Sequence, residues 1–296
     1  MKKKKTSFKG IIPPLITSFD KNGDFYEKGQ REIIEFLIPY IDAVYPCGTY
    51  GSGPLMSVEE RKKVAETIVD QINGRIYTII HVGSANTRDT IELAKYSQQI
   101  GADAVGAIAP YYFKYSEKEI INHFVQLVNS VDIPVYVYNN PSLSGNNITP
   151  AMLEKLSKEG IAGVKDSSFD LVNFYLYQDA VENPDFDFII GTEAIALGSF
   201  LSGGNAAICG VANVIPEPLH DLWQLVKERR WGEAQKLQFK VIKIRKIMKM
   251  GSTLTSCYAI LKMRGVDAGQ PRLPYLPVSE ELYKRIENEL KKLDVI

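Results

Sequence analysis

Eight short apolar runs rich in β-branched residues recur along the chain, and each is followed by a longer segment of helical period. The runs are apolar at consecutive positions, as strands covered on both faces are. A length of 296 residues also suits a single α/β barrel. Together these observations predict an α/β fold: a (β/α)8 TIM barrel with a C-terminal helical extension. Eight repeats fit a closed barrel of parallel strands better than an open doubly wound sheet.

The strand candidates are, in order, GIIPPLITSF (10–19), IDAVYPCG (41–48), RIYTIIHVG (75–83), ADAVGAIAP (102–110), IPVYVYN (133–139), IAGVK (161–165), FDFIIG (186–191) and NAAICGVAN (205–213). The first contains Pro13 and Pro14, which an interior strand tolerates poorly, so its ends stay open. Between strands, SVEERKKVAETIVDQI (57–72) places Val58, Val64, Ala65, Ile68 and Ile72 on one helical face. NTRDTIELAKYSQQI (86–100) and SEKEIINHFVQLVNS (116–130) repeat the pattern. Each of the three opens on Ser or Asn, whose side chain caps a first turn. After residue 214 the alternation stops. Segments 217–230, 231–250 and 279–294 read as helices, with Trp223, Trp231 and Phe239 as apolar anchors. The expected organisation is a barrel over 1–214 and a helical extension over 215–296 packed on it.

An apolar fraction of 45% supports a large core. Lys+Arg and Asp+Glu both number 35, and that balance gives no support to a nucleic-acid or membrane partner. No window approaches the ~18 consecutive apolar residues of a membrane span. The opening MKKKK is followed by TSFKG rather than an apolar core, so it reads as a solvated tail and not a secretory signal. Cys47, Cys209 and Cys257 are far apart and lack CxxC spacing, and the histidines are only His81, His123 and His220. Disulfide frameworks and metal sites are therefore not expected, and the compartment expected is the reducing cytoplasm.

In such a barrel, function gathers at the C-terminal strand ends. Those ends carry CGTYGSGP (47–54), PYYFKYS (110–116), YNNPSLSG (138–145), KDSS (165–168) and GTEA (191–194). Lys165 closes the sixth strand, where burial would lower its pKa and free a nucleophilic amine. The bland alternative is a lysine that snorkels outward or pairs with Asp166. The GTYGSG loop offers backbone N–H groups to an anion, or is only a tight turn; it is neither a P-loop nor a dinucleotide fingerprint. Tyr136 and Tyr138 share a face by strand alternation, with Tyr138 nearer the mouth, as proton relay or as barrel filling. Tyr111 and Tyr112 carry the same ambiguity.

In order and spacing, GIIPPLITSFDKNGDFY, GTYGSGPLMSVEER, APYYF, YNNPSLSG, GVKDSS and GQPRLPYLP resemble the pyruvate-dependent class I lyases and synthases, the dihydrodipicolinate synthase and N-acetylneuraminate lyase family. The resemblance spans nearly the whole chain. It implies a (β/α)8 barrel, a homotetramer built as a dimer of dimers, and catalysis without metal or organic cofactor, through a Schiff base on Lys165. It further implies Tyr138 as proton relay, Thr49 as its support, and Tyr112 as the tyrosine reaching across a dimer interface. The implied substrate-binding set is Gly48, Tyr50, Asn140, Ser167, Gly191 and Glu193, with the backbone at Thr49 and Tyr50 holding a carboxylate.

Within the family, the synthase branch carries an arginine in the loop after the catalytic tyrosine, where this chain has Leu143. Losing a charged clamp costs ~2–5 kcal/mol, which demotes the synthase reading. The pattern is most similar to archaeal 2-keto-3-deoxygluconate aldolases, with Ser167 and Glu193 at positions that hold the sugar-acid tail. Tyr50 and Asn140 depart from that branch. The expected activity is reversible cleavage of a 2-keto-3-deoxy sugar acid to pyruvate and an aldehyde. Sialic acid lyase follows, then 4-hydroxy-tetrahydrodipicolinate synthase, and, from another class, a non-catalytic barrel that binds 2-oxo acids.

Overall fold

The computed structural model describes residues 7–296, so the MKKKK run lies outside the described residues. Eight parallel strands form the sheet: β1 (Gly10–Ile12), β2 (Ala43–Val44), β3 (Tyr77–His81), β4 (Ala104–Ile108), β5 (Val135–Asn139), β6 (Gly163–Asp166), β7 (Asp187–Ile190) and β8 (Ala206–Ile208). Their order is β1-β8-β7-β6-β5-β4-β3-β2. The remaining seam is bridged by backbone bonds from Asp42 N–H to Ile11 O and from Tyr45 N–H to Pro13 O, both 3.0 Å. The sheet thus closes into the barrel that the eightfold alternation predicts.

The first strand ends at Ile12, earlier than its apolar run, because Pro13 and Pro14 have no N–H for the ladder. A side chain replaces the missing bonds. Asn213 accepts from Ile16 N–H at 3.1 Å and donates through Nδ2 to Pro14 O at 3.2 Å.

Helices α1 (Glu27–Leu37), α2 (Val58–Ile72), α3 (Thr87–Gln99), α4 (Glu117–Ser130), the single turn α5 (Pro141–Ser144), α6 (Pro150–Lys158), α7 (Leu171–Ala180), α8 (Ala196–Leu201) and α9 (Glu217–Lys227) ring the sheet. Ser57, Asn86 and Ser116 cap α2, α3 and α4 by accepting from Glu60, Asp89 and Glu119 N–H. Beyond the ring come α10 (Trp231–Met248), α11 (Thr253–Met263) and α12 (Glu280–Lys292). The sequence reading has no helix at α11, because TLTSCYAIL is buried almost all round and shows no amphipathic stripe. Trp223 packs on Phe200, with ring centroids 4.9 Å apart. Trp231 and Phe239, expected as anchors, are instead 43% and 58% exposed. No described helix is long and apolar enough to cross a membrane.

The barrel interior is filled by Phe8, Ile12, Tyr45, Ile79, Tyr136, Ile189 and Ile208. At its N-terminal end Asp187 accepts from Ser7 Oγ (2.6 Å), Phe8 N–H (3.1 Å) and Tyr136 Oη (2.6 Å). That end is plugged, which leaves the C-terminal mouth as the place where solvent and a ligand meet the barrel axis.

Candidate active site

Tyr138 on β5 and Lys165 on β6 are register partners. Neighbours in register project to the same side of a sheet, so amine and phenol must meet inside the barrel. Lys165 Nζ lies 3.8 Å from the centre of the Tyr138 ring and 4.2 Å from that of Tyr45. The lysine is only 4% exposed. Burial lowers its pKa, against an opposing pull from Tyr138. Asp166 is occupied elsewhere: it accepts from Asn139 Nδ2 (3.0 Å), Ser168 N–H (3.1 Å) and Ser168 Oγ (2.7 Å). Lys165 therefore neither snorkels nor pairs with its neighbour.

The Tyr138 hydroxyl accepts from Asn140 Nδ2 at 2.9 Å and lies 3.4 Å from Thr49 Oγ1. Burial alone would raise its pKa. The Lys165 charge and hydrogen bonds with Thr49, Asn140 and Ser167 outweigh burial, and the phenol sits below its usual range. Four of the predicted residues thus converge on one phenol. Ser167 also donates to Gly191 O at 3.2 Å, and a Cβ on Gly191 would come within 1.9 Å of Ser167 Oγ, so Gly191 keeps that hydroxyl in place.

The loop after β2 is drawn tight by bonds from Gly53 N–H to Gly48 O (3.0 Å) and from Ser52 N–H to Thr49 O (3.2 Å). Among the described residues, the N–H groups of Thr49 and Tyr50 meet no protein acceptor. Two free N–H groups beside a buried amine make a cradle for a small carboxylate. His81 props this loop. Its Nδ1 faces Cys47 O at 3.1 Å and its Nε2 accepts from Ile108 N–H at 3.3 Å, and burial holds its pKa well below the usual value. It is a neutral strut.

Across the mouth, Tyr50 turns its hydroxyl onto Gly210, where a Cβ would approach to 2.3 Å. Burial, then the nearby Glu193 charge, raises the pKa of that phenol. Glu193 is buried and ion-paired to Arg245 Nε at 2.8 Å. Sequence reasoning missed Arg245 because it lies on α10, far from any strand end. It also missed Tyr45 and His81, whose types are ordinary for barrel filling. Tyr112 does not join this chain's own cluster: it is 87% exposed, with a left-handed φ of 81°, and its ring packs on Phe113 at 4.9 Å. Leu143 stands exposed on α5.

A shielded amine, a phenol of lowered pKa, adjacent hydroxyls and an anion cradle suit attack on the ketone of a 2-oxo acid. The sequence profile of the dihydrodipicolinate synthetase family matches residues 7–293. A 4-hydroxy-tetrahydrodipicolinate synthase of Methanocaldococcus jannaschii is 33% identical, over 98% of this chain and 100% of the relative. A prophage protein of the dihydrodipicolinic acid synthase family from E. coli K12, solved with pyruvate, superposes with a TM-score of 0.95 at 28% identity, covering 98% of this chain and 100% of the other. A variant of the Sulfolobus solfataricus 2-keto-3-deoxygluconate aldolase superposes with a TM-score of 0.90 at 28% identity, covering 96% of each chain.

Proposed function

This chain belongs to the dihydrodipicolinate synthetase family and is a pyruvate-dependent carbon–carbon lyase, and from that premise we propose that it cleaves a 2-keto-3-deoxy sugar acid reversibly to pyruvate and an aldehyde. The observation that carries the reading is the Lys165 amine, buried in the mouth against Tyr138, with Leu143 rather than a guanidinium on the turn above.

In this reading the Lys165 amine attacks the C2 ketone and water leaves, giving an iminium that accepts electrons. The C3–C4 bond breaks, its electron pair passes into the iminium to form an enamine, and Tyr138 takes the C4 hydroxyl proton as the aldehyde departs. The enamine is protonated at C3, and water hydrolyses the resulting iminium, which releases pyruvate and restores the amine. Thr49 and Asn140 hold the Tyr138 oxygen, and the Thr49 and Tyr50 N–H groups hold the pyruvoyl carboxylate. No metal or organic cofactor enters the scheme. We further propose a cytoplasmic homotetramer, in which Tyr112 reaches a neighbouring subunit.

Measuring pyruvate release from 2-keto-3-deoxygluconate, 2-keto-3-deoxygalactonate and N-acetylneuraminate tests the reading. Cleavage of a ketodeoxy sugar acid faster than the acetylated sugar is expected, and the reverse order would overturn it. A second reading, condensation of pyruvate with aspartate semialdehyde, is favoured by the name of the M. jannaschii relative and gains support if that pair is consumed faster than any sugar acid is cleaved.

A further inference from the structure

On the outer side of the two strands that carry the amine and the phenol lies a carboxylate that the proposed chemistry leaves unused. Asn139 and Asp166 are the next register partners after Tyr138 and Lys165. Alternation turns them to the opposite side of the sheet, away from the mouth. Both are fully buried. Asn139 Nδ2 donates to Asp166 Oδ1 at 3.0 Å, a side-chain bond that ties β5 to β6 one residue beyond the reacting pair. Asp166 also accepts from the turn and helix that follow: from Ser168 N–H (3.1 Å), Ser168 Oγ (2.7 Å) and Asn173 Nδ2 on α7 (3.4 Å). Asn139 Oδ1 accepts from Ile148 N–H at 3.1 Å, and the Asn139 carbonyl accepts from Ser167 N–H at 2.8 Å. Among the described residues no cation pairs with Asp166. A buried carboxylate costs more to desolvate than an apolar side chain in its place, so its use is geometric rather than stabilising. The residues that follow the pair show what the geometry serves. Asn140 and Ser167 both reach the Tyr138 oxygen.

We infer that Asn139 and Asp166 form a positioning clamp, which holds the Tyr138 phenol within proton-transfer range of a Schiff base on Lys165 and aims Asn140 and Ser167 at its oxygen. The inference rests on the Schiff-base reading and adds the pair that keeps its proton relay in place. Bonds from both sides fix the Asp166 carboxylate, one from β5 and three from the segment after β6. Ser167 lies between Asp166 and Ser168, so it has little freedom to swing away from the phenol. An amide at position 166 offers one acceptor oxygen where two are used, and its own N–H groups confront the donors of Asn139 or Ser168. The clamp faces away from the mouth, so its loss should slow proton transfer without removing the amine.

The test follows exchange of the pyruvate methyl protons for deuterium in D2O by NMR, a half-reaction that does not depend on which aldehyde the enzyme uses. In the iminium on Lys165 the C3–H bond breaks, Tyr138 takes the proton and the electron pair forms the enamine; a deuteron then returns to C3. Tyr138→Phe and Asp166→Asn should each slow exchange, the second by about 10–100-fold. Borohydride should still trap pyruvate on Lys165 in both, which shows that each variant is folded. In the Tyr138→Phe background, Asp166→Asn should change the remaining rate by no more than roughly twofold, because no phenol is left to position. General damage to the fold would multiply instead. Asn139→Asp combined with Asp166→Asn rebuilds a carboxylate–amide bond across the strands and should regain at least about threefold over Asp166→Asn alone. Should Asp166→Asn not trap pyruvate, Asn139→Ala takes its place and is judged by the same criteria. Exchange in Asp166→Asn within roughly twofold of native, an equal loss in both backgrounds, or a swap that regains nothing would overturn the clamp and leave the Schiff-base reading intact. Undiminished exchange in Tyr138→Phe would remove the relay and the clamp with it, and a native protein that neither exchanges nor traps pyruvate would remove the whole reading.

Discussion

Lys165 owes its expected reactivity to the aromatic rings of Tyr138 and Tyr45, which exclude water from its amine. A lowered amine pKa has a kinetic signature. The sign follows from the base form being the nucleophile: Schiff-base formation falls as pH drops through that pKa, and the limb should lie below the ~10.4 of a free lysine. A pH profile of borohydride trapping checks it, and a limb at the free-lysine value contradicts the burial argument. Tyr138→Phe keeps the ring over Lys165 and removes the proton acceptor. Steady-state kinetics should show kcat lower by about 10²–10⁴-fold, with pyruvate trapping retained. Lys165 and Tyr138 were legible in the sequence because they sit at strand ends, where β-alternation fixes the side they face, whereas Thr49, in the loop after β2, was given only by the family resemblance. Tyr45 was not legible. Its inward position follows from alternation, but its ring fits only because Gly106 opposite has no Cβ, which would lie 2.7 Å from the Tyr45 hydroxyl. That complementarity lies 61 residues apart in the chain and leaves no local signal.

The strand–helix alternation was readable throughout the barrel, and the capping residues marked α2, α3 and α4 at their first turns. The C-terminal helices carried weaker signals. Helix α11 is apolar on all sides, and α10 was visible as a helix while its inward-facing Gln238 and Arg245 looked like ordinary surface polars. Gln238 anchors α10 to the loop after β7 by two hydrogen bonds. Gln238→Ala should lower stability by roughly 1–3 kcal/mol, through bonds lost and the buried Glu193 carbonyl left unpaired, as read from urea denaturation. A second element-level test lies between α3 and α4, where Thr87 Oγ1 is 2.9 Å from His123 Nδ1. Burial takes the pKa of His123 from 6.5 down to about 4. The unfolded chain binds the proton more readily than the folded one, so stability is intact above 6.5 and is lost as pH falls toward 4. His123→Gln should reduce the fall in urea-measured stability across that window, by at most roughly 3 kcal/mol. An identical pH dependence in variant and native protein would show that His123 is not the sensor.

At the scale of the molecule, the exposed aromatic and apolar residues Tyr112, Phe113, Leu143, Phe169 and Tyr175 are more than an isolated barrel needs to present to water. Light scattering should give a mass of four chains, and a monomer at working concentration would contradict the proposed assembly. The barrel as a whole was legible because eightfold repetition of parallel strands leaves few ways to close. The path of the chain just past its first strand was not, because beyond the prolines the backbone bonds to the Asn213 side chain, an arrangement set by tertiary contact. The proposed chemistry depends on one amine, Lys165, buried in the mouth of that barrel. Reducing the protein with borohydride in the presence of pyruvate, then locating the adduct by peptide mass spectrometry, measures it most directly. The adduct should fall on Lys165 and vanish in Lys165→Met; an unmodified Lys165 in protein that binds pyruvate, or an adduct on another lysine, would contradict the account.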